Sequence, residues 1–152
     1  MNLSQNFTLR EATRSTTATR LGIANDPPPD VLARMAYVAE NILEPVRQAF
    51  MEPVKVNSFY RSPALNKAVG GKATSQHVTG EAVDFEVPGV PNADVAAWVR
   101  DNLTFDQCIL EFARSDDPYA GWVHVSYKAD PAACRAECLT INEAGVFEGI
   151  VA

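Results

Sequence analysis

Hydrophobic and polar positions change period several times along this chain, and each change marks an element. Across Val31 to Phe50 the apolar residues Leu32, Met35, Ala36, Ala39, Ile42, Leu43 and Val46 recur at helical spacing. The spacing predicts one long helix, capped by Asp30 after the stop at Asn25-Asp-Pro-Pro-Pro29, with a kink where Pro45 clashes with the preceding turn. Val54–Phe59, Ala82–Val87, Phe105–Phe112 and Gly121–Tyr127 alternate instead, which suits strands. In the second of these Val83, Phe85 and Val87 share one face, and Ala82, Asp84 and Glu86 the other. In the third, Gln107, Ile109 and Glu111 oppose Cys108, Leu110 and Phe112; in the fourth, Trp122, His124 and Ser126 oppose Val123, Val125 and Tyr127.

Shorter elements fill the gaps. Thr8 and Glu11 form a capping-box pair over a helix at Leu9–Arg14, and Ser15–Arg20 is Thr-rich and polar. Ala64–Val69 is a helical turn ended by Gly70-Gly71, and Val90–Leu103 is a helix after Pro91 with Val95, Trp98 and Val99 inward. The polar turn Arg114–Gly121 suits an antiparallel pair, and Leu139-Thr-Ile141 with Val146-Phe-Glu148 predicts a closing hairpin.

Composition narrows the class. A chain of 152 residues is expected to form one domain, 1–152, large enough for a proper core. The net charge of -6 gives nucleic-acid binding no electrostatic support. No basic run suits an anionic membrane, and no stretch approaches transmembrane length. Met1–Arg10 lacks the charged start and apolar core of a signal peptide, so synthesis in the cytoplasm is expected, with any extracellular task needing another route out. Three cysteines are too few for a disulfide framework. Cys134 and Cys138 have a spacing that could serve zinc, but no second ligand pair lies nearby, and free thiols are the simpler expectation.

The chemistry concentrates in Ser75-Gln-His-Val-Thr-Gly-Glu-Ala-Val-Asp84. Gly80 breaks the local geometry, because glycine tolerates positive φ. His77 precedes the strand that carries Asp84, and the two are either a hydrogen-bonded loop pair or half of a zinc site. The second of the chain's two histidines, His124, stands on the polar face of its own strand and could complete a His-Asp-His set.

Ser75-x-His77-x-x-Gly80-x-Ala82-x-Asp84, followed by Trp122-x-His124, resembles the zinc D-Ala-D-Ala metallopeptidases. That group includes D-Ala-D-Ala carboxypeptidases and the L-Ala-D-Glu endopeptidases of phage endolysins. The resemblance reaches the N-terminus, where Phe7-Thr-Leu-Arg-Glu11 and Thr17-Ala-Thr-Arg-Leu-Gly-Ile23 look like the opening segments of phage-type members. It implies an α+β fold of the hedgehog/DD-peptidase kind, with helices packed against a mainly antiparallel sheet. It also implies one zinc per chain on His77, Asp84 and His124, with water in the fourth position. Ser58-Phe-Tyr-Arg-Ser62 matches the segment whose arginine acts on substrate, which gives Arg61 that role, with Tyr60 and Ser75 as further substrate contacts. Phe105-Asp-Gln-Cys-Ile-Leu-Glu111 matches the segment that supplies the proton-transferring base, which points to Glu111 over Glu81, Glu86 and Asp106. Gly121 departs from members that carry an acid three residues before the last histidine. The implied function is hydrolysis of peptidoglycan stem peptides by an expected monomer. A non-catalytic zinc-stabilised binding module and a virion structural protein are the rival classes.

Overall fold

The computed structural model describes residues 1–151. Six strands form one sheet in the order β1-β2-β4-β3-β5-β6. They are β1 (Lys55–Ser58), β2 (Ala82–Glu86), β3 (Gln107–Glu111), β4 (Trp122–Ser126), β5 (Glu137–Asn142) and β6 (Gly145–Glu148). Every neighbouring pair is antiparallel except β3–β5, which is parallel. The fold is α+β with a mainly antiparallel sheet, as expected. The closing hairpin is β5–β6, and its parallel seam with β3 was not legible from periodicity.

The helices are α1 (Leu9–Thr13), α2 (Thr16–Leu21), α3 (Pro29–Val38), α4 (Glu44–Phe50), α5 (Pro63–Ala68) and α6 (Asn92–Asn102). Thr8 and Glu11 make the reciprocal hydrogen bonds of the capping box on α1. The polar stretch after it, to which periodicity assigned no element, is a helix, because the Ser15 side chain accepts from Ala18 N–H and Gly22 closes the other end at φ 66°. The long helix differs in two details. It starts at Pro29, with Asp30 inside the first turn, because proline at the first position needs no N–H partner. It also continues through Pro45 by a π-helical turn at Ala39–Leu43 between α3 and α4, which accommodates the missing donor.

The alternation along the strands sorts the sheet into two faces. Val83, Phe85, Val123 and Val125 are fully buried and pack with Met35, Val38, Ile42, Leu43 and, from α6, Val95 and Val99. Fully burying a phenylalanine such as Phe85 contributes roughly 2–3 kcal/mol. That apolar layer leaves the opposite face of β2, β4 and β3 free for polar side chains.

The parallel seam is held at its start by a buried charge. Asp106, fully buried, accepts from Arg135 N, Nε and Nη2 and from Gln76 Nε2 at 2.9–3.0 Å. Glu137 N–H bonds to the Asp106 carbonyl and Ala136 N–H to Phe105, which places β5 beside β3. Hydrogen bonding from Arg135 outweighs burial and holds the Asp106 carboxyl far below the usual range. A depressed carboxylate contributes stability that is complete above its unfolded value and is lost as pH falls below it. Asp106→Asn should lower stability at pH 7 by roughly 2 kcal/mol, the scale of a charge-assisted hydrogen bond. The deficit relative to wild type should shrink as pH falls through and below the ordinary aspartate value of 3.8. Urea melts of both proteins at several pH values measure this, and a pH-independent deficit would contradict it.

Candidate metal centre

Asp84 on β2 lies directly across from His124 on β4, and Ser58 on β1 faces Asp84 from the other side. His77 arrives from the turn preceding β2, closed by Val78 N–H to Ser75, Gly80 N–H to His77 and Glu81 N–H to Gln76. This turn rests on α3, where Arg34 Nε donates to Thr79 O at 2.7 Å. Gly80 takes φ +77°, and a Cβ there would stand 2.8 Å from the Val31 carbonyl oxygen, so only glycine lets the turn lie so close.

The three side chains converge. One ligand atom from each of His77, Asp84 and His124 falls within 4.8 Å of the others. His77 Nδ1 is 2.7 Å from the Phe59 carbonyl, which can only accept, so Nδ1 carries the proton. In the neutral ring, Nε2 then turns a lone pair toward Asp84 Oδ2 at 3.3 Å. Two acceptors at that distance in a buried place require a cation or a proton between them. His124 Nδ1 sits 2.8 Å from Asp84 Oδ1. Tetrahedral zinc with arms of about 2.0–2.1 Å separates its ligand atoms by about 3.3 Å, so the donor set fits zinc in kind, and the His77–Asp84 separation of 3.3 Å matches it. The Phe59 carbonyl is the outer partner that fixes ring orientation for a ligating imidazole.

Burial alone would raise the Asp84 carboxyl, but the positive charge and hydrogen bonds that His77 and His124 offer in their protonated forms outweigh it and hold it well below the carboxylate range. Glu111 shares the site face, one diagonal step from His124, with Oε1 3.9 Å from His124 Nδ1. Its carboxyl is pushed up by burial first and by the Asp84 charge second, with His124, Arg61 and the nearby Trp122 indole opposing. That indole N–H is buried and lies outside hydrogen-bond geometry with any partner among the described residues.

β3 ends at Glu111 because Phe112 takes φ 56°, one residue earlier than alternation suggested. Gly121 closes against that turn: a Cβ there would fall 2.0 Å from the Glu111 carbonyl oxygen. An acid at position 121 therefore has no room, which accounts for the departure noted in the sequence.

The other candidate acids are occupied elsewhere. Thr79 Oγ1 donates to Glu81 at 2.6 Å, Asn57 donates to Glu86 at 2.8 Å, and Asp106 is bound by Arg135. Only Glu111 among the four lines the cleft over the metal centre, a space of about 670 Å³ that also meets Arg61 and Ser75. Arg61 Nε donates to Ser58 Oγ at 3.3 Å and Nη1 to Asn66 Oδ1 at 3.0 Å, while Nη2 lies 3.9 Å from Asp84. Ser75 Oγ accepts from His77 N–H. Tyr60 is not brought to this cleft: it packs into the core, its N–H bonded to Ala12 O, and it borders a separate groove beyond Arg61. The chain leaves β1 with Phe59 and Tyr60 both turned inward, so adjacency to Arg61 in sequence did not mean adjacency to the site. Asn66, the Phe59 carbonyl and the Gln76–Asp106–Arg135 clamp were not recognisable, since no motif marks a partner that acts through its neighbour. The three cysteines are free, and His77, Asp84 and His124 form the one such ligand cluster among the described residues.

A polar sheet face carrying Asp84, His124 and Glu111, with His77 brought onto it by the preceding turn, forms a cluster that could hold a metal ion. The family model for peptidase M15 matches residues 5–126, and the chain belongs to that family of zinc-dependent metallopeptidases. No curated protein matches it. No helix among the described residues is long and apolar enough to cross a membrane.

Metal analysis of the purified protein should find one zinc per chain, and His77→Ala and His124→Ala should each lose it. Full occupancy in either variant would remove these residues from the ligand set.

Proposed function

We propose that this protein hydrolyses peptide bonds in peptidoglycan stem peptides, as a D-Ala-D-Ala carboxypeptidase or an endolysin-type endopeptidase. The observation that carries this is one cleft joining His77, Asp84 and His124 with Glu111 and Arg61. Family membership supports peptide hydrolysis, and the cleft supplies groups for each part of it.

His77, Asp84 and His124 would hold the zinc. When bound, zinc supplies a Lewis acid that polarises a carbonyl and acidifies water. Glu111 takes a proton from the attacking water as its oxygen bonds to the scissile carbonyl carbon, then returns a proton to the departing amine as the C–N bond breaks. Its position suits both transfers, because Oε1 lies 3.9 Å from His124 Nδ1 at the edge of the centre. Arg61, anchored by Ser58 and Asn66, offers the planar donor fork that holds a substrate carboxylate or the polarised carbonyl. Ser75 stands at the cleft wall as a further polar contact.

Digestion of purified peptidoglycan, with fragments identified by mass spectrometry, tests the reading and names the bond cut. Intact peptidoglycan and intact muropeptides after exposure to the zinc-loaded protein would refute it. Glu111→Gln keeps the side-chain shape but cannot accept a proton, so turnover should fall roughly 10²–10⁴-fold with zinc content unchanged. Arg61→Ala should reduce turnover roughly 10²-fold, the scale of one lost donor to developing charge. Its melting temperature should stay close to wild type, and a large fall with activity intact would make Arg61 a folding residue.

A further inference from the structure

The cleft carries charge of the opposite sign to the chain. The protein has 13 basic and 19 acidic residues, yet the cleft is lined by four cations, Arg61, Lys72, Lys128 and Arg135, against two carboxylates, Asp84 and Glu111. Both carboxylates lie beside His124 at the metal centre and the buried Asp106 offsets Arg135, so the charge left unmatched on the rest of the wall is that of Lys72 and Lys128.

These cations differ in their commitments. Arg61 is tied to Ser58 and Asn66 and faces Asp84. Arg135 gives Nε and Nη2 to Asp106. Lys72 and Lys128 make no ion pair and no side-chain hydrogen bond among the described residues, and both ammonium groups are left for a ligand. Lys72 belongs to the Arg61 side of the cleft, since Gly71 packs against Arg61 Nη1 and the Lys72 carbonyl accepts from Asn66. Lys128 leaves the end of β4 beside Arg135, its N–H meeting Cys134 Sγ at 3.4 Å. Along β3 that end corresponds to Gln107, two residues from Ile109, which is level with His124. Two residues of strand span about 7 Å, so an extended peptide centred on the metal reaches that end with its second residue.

We propose that Lys72 and Lys128 make this cleft selective for acidic peptides, with Lys128 and Arg135 holding a carboxylate separate from any held by Arg61. The inference rests on the proposed peptidase function and adds a charge requirement to it. In a chain of net charge -6 an anionic peptide is repelled by most of the surface, and this local reversal of sign draws it to the metal centre. The carboxylate is a side-chain acid or the C-terminus of the peptide.

The test uses zinc-loaded protein and three versions of one stem-type peptide: free acid, side-chain amide and C-terminal amide. Binding is measured by calorimetry with Glu111→Gln, and cleavage with wild type. The free acid should bind about tenfold tighter than one of the amides at low salt, the difference appearing in KM more than in kcat and shrinking as salt is added. Whichever amide is weakened identifies the source of the carboxylate. Lys72→Met and Lys128→Met should each reduce that ratio about three- to five-fold, the upper range for a partly exposed ion pair. Equal binding of all three peptides, or an unchanged ratio in both lysine variants, overturns the proposal whether or not cleavage occurs. Selective binding without cleavage of any peptide would sustain it and refute the peptidase function.

Discussion

The structure turns on one buried charge. Asp84 is only 8% exposed, and a carboxylate in such a place is costly unless its charge is matched. Its two oxygens are divided between His77 and His124, with Arg61 behind at 3.9 Å. Each of those partners is itself held: His77 by the Phe59 carbonyl, His124 by the β2–β4 ladder, and Arg61 by Ser58 and Asn66. The site is therefore preorganised by backbone and amide contacts that take no part in chemistry, which is what a metal centre needs to keep its donors converged.

The sheet makes this arrangement compatible with a stable core. Alternation along β2, β3 and β4 commits every second side chain to the helices, and the residues between them are released for polar work. The Asp106 clamp serves both sides of that division. It fixes β5 against β3 through Arg135, and through Gln76 it steadies the turn that presents His77. Loss of this carboxylate acts on the fold first and on the ligand loop through it.

Glu111 shows how backbone geometry and electrostatics act together. The left-handed Phe112 and the close approach of Gly121 end β3 at this residue and set it at the rim, beside Trp122. Partial burial and the Asp84 charge then raise its pKa, so the proximity that gathers His77, Asp84 and His124 also acts on Glu111. Beyond this centre the wall becomes positive, with Lys72 and Lys128 unpaired, in a chain that is negative as a whole.

Much of this was legible in the amino-acid sequence. Period-two patterning placed the β2, β3 and β4 side chains on their proper faces, because strand geometry leaves no choice once one face is apolar. The spacing of Ser75, His77, Gly80 and Asp84, with His124 downstream, marked the donor set, since local turn chemistry and ligand type are written in adjacent residues. Local rules failed where partners were distant. The helix at Thr16–Leu21 was hidden in a polar run that only its caps reveal, and Pro45 was absorbed by a π turn within a packed helix. The parallel β3–β5 seam, the turning of Tyr60 into the core and the gathering of Lys72 and Lys128 into one cleft depend on contacts between segments far apart in the chain. No periodicity encodes such contacts; they were decided only when the chain closed around Asp84 and Asp106, whose buried charges had to find their partners.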